Sequence, residues 1–190
     1  MKSKAVIFLA NGCEEIEALT VADILRRAKS DVALVSINET TDVVSSHNVH
    51  IVADAVFADM DFSETEMLIL PGGMPGSNNL QGYKPLEEKI LEFNEKGKML
   101  AAICAAPKVF GQLGLLEGKN ACCHPGFEEE LLGANVVMDH PAVRDGNIIT
   151  GRSMGCAIPF GLLILRSLEG DAAADEMAKK IVWMPIEESV

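Results

Sequence analysis

Six short, largely apolar runs set the pattern of this chain: Ala5–Leu9, Val32–Ile37, Met67–Leu70, Met99–Ile103, Asn120–Cys123 and Ile148–Thr150. Helical periodicity fills much of the sequence between them. Residues 14–28 form one such segment, and Leu86, Ile90 and Phe93 mark another at helical spacing. Residues 105–112, 156–168 and 172–182 supply the rest. A strand that reads as continuously apolar, rather than alternating, must have both faces covered. Such strands alternating with helices predict an α/β protein: a doubly wound, mostly parallel sheet with helices on both faces. Residues 42–55, DVVSSHNVHIVADA, read as a small hairpin inserted into this plan. The 190 residues suit a single domain over 1–190. No linker, repeat or low-complexity tract divides it, and the tail EESV (187–190) reads as frayed.

Composition excludes several partners. The formal net charge is −12, and Lys and Arg do not cluster, which argues against nucleic acid and anionic membrane. The apolar stretch after Lys2 is cut off at once by NGCEE, too short for a secretion signal. CAIPFGLLIL (156–165) falls short of a bilayer span and reads as a buried helix. Five cysteines without a disulfide rhythm fit a reducing cytoplasm, and adjacent Cys122 and Cys123 cannot form a CxxC metal clip.

Ligands of an open α/β sheet sit at the carboxyl ends of its strands. Three stretches begin there: ANGCEEIE after the first strand, PGGMPGS after Leu70 and CAAP after Ile103. They are expected to be neighbours in space. In AICAA, Ala102, Cys104 and Ala106 occupy the positions of a small-x-nucleophile-x-small elbow, where only small neighbours avoid clashes across a sharp strand-to-helix turn. The helix that follows aims free N–H groups at the turn and is expected to lower the Cys104 pKa. The elbow alone also fits a buried structural cysteine. Gly72 and Gly73 follow a strand end, where glycines let backbone N–H groups face a site as an oxyanion hole requires. A plain tight turn explains them as well. The loop lacks the Lys-Ser/Thr of a phosphate loop.

Glu14 and Glu15 suit the start of the first helix through its dipole. Glu17 differs: it heads the row Glu17, Val21, Ile24, Ala28, which is otherwise apolar and is expected to face the sheet. An inward carboxyl without a counter-charge is expected to have a raised pKa and to donate a hydrogen bond. Among His47, His50, His124 and His140, His124 stands at a strand end in CCHPG and is the candidate base near Cys104. No acid follows it at HxE spacing, so no complete Cys-His-acid triad is visible.

Taken together, FLANGCEEIEA (8–18), DILRRAK (23–29), LILPGGMPGSNNL (68–80), AAICAAP (101–107), HPGFEEEL (124–131) and ITGRSMGCAIPF (149–160) cover nearly the whole chain. They resemble the ThiJ/PfpI superfamily, and within it the branch of the parkinsonism-associated protein and its bacterial relatives. The resemblance implies a flavodoxin-like α/β fold and a homodimer. It places the reactive cysteine at Cys104, its protonated carboxyl partner at Glu17, oxyanion-type donors at Gly73 and Ala105 with Gly72 adjoining, and the nearby histidine at His124. The activities implied are cofactor-free conversion of methylglyoxal to lactate, protein deglycation, and a stress-protective, chaperone-like role reporting through oxidation of Cys104. No cofactor or metal is implied, and the partner is a small aldehyde. Ala105 stands where protease-like branches carry His, which argues against a protease. HPGFEEE lacks the HxE of glutamine amidotransferases. His47 occupies a hairpin position where close relatives carry Arg.

Overall fold

The computed structural model describes residues 1–184, so the EESV tail lies outside the described residues. In chain order the elements are β1 (Ala5–Leu9), α1 (Glu15–Arg27), β2 (Val32–Ser36), β3 (Asp42–Val44), β4 (His50–Val52), β5 (Ala55–Val56), β6 (Met67–Leu70), α2 (Gly76–Gln81) and α3 (Lys84–Glu95). Then come β7 (Met99–Ile103), α4 (Pro107–Gln112), β8 (Asn120–Ala121), β9 (Asn135–Val136), β10 (Ala142–Asp145), β11 (Ile148–Gly151), α5 (Ala157–Glu169) and α6 (Asp171–Lys180).

The main sheet has seven strands in the order β10-β11-β7-β6-β1-β2-β5. All neighbours run parallel except β10, which pairs antiparallel with β11 at one edge. The continuous apolar runs have the cause inferred from them. Ile7, Leu9, Ile69, Ala101, Ile103 and Ile149 pack on one side against Val21, Ile24, Leu25, Phe160 and Ile164 of α1 and α5. Val6, Phe8, Leu68, Leu70, Leu100 and Ala102 pack on the other against Leu80, Leu86, Ile90, Phe93, Val109 and Phe110. Alternate residues of a strand point to opposite faces, so two covered faces demand an apolar residue at every position.

The hairpin forms as β3 and β4, in the register Val43↔Ile51, while β5 leaves it to join the sheet edge beside β2. One expected strand lies elsewhere. Asn120–Ala121 pairs with Asn135–Val136 in a separate two-stranded sheet, and the place beside β7 goes to β11. No helix among the described residues is long and apolar enough to cross a membrane.

Candidate active site

The parallel order places the carboxyl ends of β1, β6, β7 and β11 side by side, and the three expected stretches do meet there. The Glu14 N–H donates to the Gly72 carbonyl at 2.9 Å, and the Gly76 N–H to the Gly12 carbonyl at 3.1 Å. The chain turns from β7 into α4 at Cys104, whose φ is 67°. This left-handed conformation costs a non-glycine residue on the order of 1–2 kcal/mol, and neighbours hold it. The Cys104 N–H donates to Gly151 at 3.0 Å, and the His124 N–H to the Cys104 carbonyl at 2.9 Å. The sulfur is half-buried, and the main-chain N–H groups of Gly73 and Ala105 face it as donors.

Gly72 is a matter of space. A Cβ there would lie 2.5 Å from the Cys104 Cβ, 2.6 Å from Glu17 Oε2 and 3.0 Å from Cys104 Sγ. Carboxyl and thiol thus close over one bare glycine. Gly73 has φ +87°, the region that glycine enters freely, and this conformation accompanies the turn of its N–H toward the sulfur.

Glu17 points inward from the first turn of α1 and is 1 % exposed. Its Oε2 accepts from the Gly72 N–H at 2.8 Å, while Oε1 is buried without a hydrogen-bond partner. Burial raises its pKa to about 7, although the Gly72 N–H and the Cys104 thiol pull the other way. Both forms of the carboxyl are therefore accessible near neutrality. The thiol corrects the expectation of a lowered pKa. Burial first, then the charge and hydrogen bond of Glu17, push Cys104 up to about 12 against the pull of the Gly73 and Ala105 N–H groups. Helix α4 is only six residues long and cannot offset these effects. The sulfur is thus a thiol that shares its proton chemistry with Glu17.

His124 is half-buried. Its Nδ1 sits 2.7 Å from the Pro125 carbonyl. A carbonyl only accepts, so Nδ1 carries a proton and donates it to Pro125. His47, at the hairpin turn, has Nδ1 3.2 Å from Glu15 Oε1 and 3.6 Å from Glu14 Oε2. These three residues bring ligand atoms within 4.8 Å of one another and are the described donors suited to a metal ion. Two charged residues of this region escaped sequence reasoning. Lys108 is 4 % exposed and reaches Asn78 Oδ1 at 2.5 Å, tying α4 to α2. Arg152 is half-buried just beyond β11. Neither belongs to a periodic pattern that would single it out. A groove of about 730 Å³ lies elsewhere, along Ile16, Leu19, Ile24 and Arg27 of α1 with Ile158 and Ile181.

The chain matches the family described as DJ-1/PfpI over residues 3–167. It is 36 % identical over 183 residues to Protein DJ-1 homolog B of Arabidopsis thaliana, covering 96 % of this chain but 42 % of that protein, so it spans less than half of that relative's length. The crystal structure of Drosophila melanogaster DJ-1beta superposes with a TM-score of 0.89 at 34 % identity, covering 97 % of this chain and all of that one. A third similar protein is the Glutathione-independent glyoxalase DJR-1.2 of Caenorhabditis elegans. It is 27 % identical over 180 residues, covering 95 % of this chain and 96 % of that protein.

Proposed function

The chain belongs to the DJ-1/PfpI family, and within that family we propose that it is a cysteine-dependent enzyme acting on small α-oxoaldehydes without a cofactor, in the manner of converting methylglyoxal to lactate. The observation that carries this reading is the Cys104–Glu17 pair. A nucleophilic sulfur lies beside a carboxyl whose pKa of about 7 suits proton transfer in both directions near neutral pH. A relative named as a glutathione-independent glyoxalase supports the substrate class.

In this reading Cys104 Sγ attacks the aldehyde carbon as Glu17 takes the thiol proton, and Glu17 then returns that proton to the alkoxide, giving a neutral hemithioacetal and a free carboxylate. Gly73 and Ala105 N–H groups, already aimed at the sulfur, receive the developing oxyanion. Glu17 then moves the C1 proton to C2 through an enediol, leaving a thioester of the hydroxy acid. Water, deprotonated by His124 Nε2, cleaves the thioester and restores the thiol. One water enters and one lactate leaves. Lactate formation from methylglyoxal by wild type and Cys104→Ser tests this: the variant is expected to form none above background, and equal rates in both remove the proposal. A deglycase activity would run through the same hemithioacetal chemistry on aldehyde-modified side chains.

A second reading rests on Glu17 Oε1, buried without a partner beside the sulfur. A protonated Oε1 can donate to an oxidised sulfur, so hydrogen peroxide would convert Cys104 to a sulfenic and then a sulfinic acid held in place, as in a stress-protective redox sensor. Mass spectrometry after mild peroxide is expected to find Cys104 oxidised first; earlier oxidation of Cys13, Cys122, Cys123 or Cys156 refutes this. The five free thiols are those expected of a cytoplasmic protein. For the groove along α1, where Ile16 is 46 % and Leu19 37 % exposed, the proposed occupant is a second copy of the chain. Sedimentation of wild type as a dimer and of Leu19→Arg as a monomer would support it, and a monomeric wild type would not.

A further inference from the structure

Lys108 is a buried cation that the proposed reaction does not use. It lies on α4 beyond Cys104 and is 4 % exposed. An ammonium taken out of water is costly unless hydrogen bonds and counter-charge offset the loss. Three described groups meet this one, and they come from different segments. Nζ donates to Asn78 Oδ1 at 2.5 Å and lies 3.7 Å from Glu130 Oε2. It also stands over the Phe127 ring, 5.6 Å from the centroid, within the range of a cation–π contact.

Glu130 and Phe127 belong to the loop that carries His124. Several of that loop's backbone bonds are local: the Phe127 N–H donates to the His124 carbonyl at 3.1 Å, and the Glu130 N–H to the Phe127 carbonyl at 3.0 Å. Bonds of this kind set the loop's own shape and not its place on the molecule. Its place comes from contacts with α4 and the corner before it. The His124 N–H donates to the Cys104 carbonyl at 2.9 Å, and the Glu130 carbonyl presses on Gly111, where a Cβ would come within 2.4 Å. Lys108 adds the side-chain contact. Phe127 meets the His124 ring edge to face, with centroids 6.1 Å apart and planes at 88°. The imidazole therefore leans on a ring that leans on the ammonium. On its other side Lys108 holds Asn78 of α2, the helix whose Ser77 N–H donates to the Gly73 carbonyl at 2.9 Å.

We propose that Lys108 is a positioning residue: through Phe127 and Glu130 it fixes the orientation of the His124 imidazole. The catalytic consequence rests on the reading in which His124 activates water; the orientation itself does not. The groups that act on the thiol are Glu17, Gly73 and Ala105, so loss of Lys108 leaves the Cys104–Glu17 pair as it is.

Two measurements test this. The first is NMR of protein labelled in its His and Phe rings, with the His124 resonances assigned by their loss in His124→Gln. Wild type is expected to show nuclear Overhauser cross-peaks between the His124 and Phe127 rings, and Lys108→Met to lose them. A wild type without those cross-peaks overturns the proposal and needs no variant; so does a folded Lys108→Met that keeps them. The second is turnover of methylglyoxal. Lys108→Met is expected to lower kcat on the order of a hundredfold, the scale of a misplaced catalytic group, with alkylation of Cys104 by iodoacetamide unchanged. In the His124→Gln background the same substitution is expected to cost nothing further, whereas an equal fall in both backgrounds refutes action through His124. Phe127→Leu leaves the ammonium and its two oxygen partners in place, and it carries the same comparison if Lys108→Met does not fold. If wild type makes no lactate while the cross-peaks depend on Lys108, the aldehyde reading fails and the positioning role stands.

Discussion

Replacing Glu17 by Gln is expected to make Cys104 more acidic and the enzyme slower. The amide keeps an oxygen to accept the Gly72 N–H, so the local fold has no reason to change. It removes the charge that, after burial, does most to hold the thiol at about 12. The close approach of Oε2 and Sγ to the same face of Gly72 puts the two charges on the order of 5 Å apart. At an effective dielectric constant of about 20, that repulsion is worth about 3 kcal/mol, or about two pH units. The thiol should then titrate near 10, and alkylation by iodoacetamide at pH 9 should run about a hundredfold faster than in wild type. Lactate formation should move the other way. It loses the group that accepts and returns protons, at a cost of about a hundredfold or more. The assay pairs alkylation rates across pH 7–10.5, read at the Cys104 peptide, with lactate production by the same preparations. An unchanged or slower alkylation rate refutes the electrostatic coupling, and retained turnover refutes the proton-transfer role.

The same carboxyl makes stability depend on pH. Its pKa is raised from 4.5 to about 7 in the folded state, so between those values the folded chain binds more protons than the unfolded one, and stability falls as pH rises through that window. Glu17→Gln escapes this loss, and denaturant titrations should show its advantage over wild type growing from near zero at pH 4 to about 3 kcal/mol at pH 8. Gly72→Ala places a methyl against the Cys104 Cβ and is expected to cost about 1–3 kcal/mol in urea unfolding and to lower Cys104 alkylation, since backbone and thiol cannot both give way. Cys104→Gly should be more stable than Cys104→Ala by about 1 kcal/mol in the same assay, because both lose the sulfur and only glycine sheds the positive-φ strain.

The parts of this molecule that could be read from its sequence are those governed by burial on two sides. Strands β1, β2, β6 and β7 are apolar at nearly every position because helices cover both faces of the sheet. Glu17 was legible because it interrupts an apolar helical row, and Cys104 because small residues flank a strand-to-helix corner. Strand β10 was not legible: at the sheet edge its four residues are half-buried or exposed, and AVRD carries no inward pattern. Asn120–Cys123 looks like a sheet strand because Cys122 and Cys123 are fully buried, but they are buried beside Thr150 and the segment after β9 rather than within the ladder. The acidity of the thiol was misjudged for a quantitative reason. A short helix terminus is local and visible in the sequence, whereas desolvation and a carboxylate from 87 residues away along the chain outweigh it and exist only once the sheet is assembled. Lys108 and Arg152 escaped notice for the same cause, since a cation reads as surface until the fold closes over it.

Each group at the thiol corner arrives from a different strand end: Glu17 after β1, Gly73 after β6 and Cys104 after β7, three adjacent ribbons drawn from both halves of the chain. No fragment can hold a working portion of it, and no local loosening can spare it. Catalytic competence should therefore vanish in step with the cooperative melting of the whole sheet, which would make turnover itself a sensitive gauge of whether the last parallel ladder has zipped.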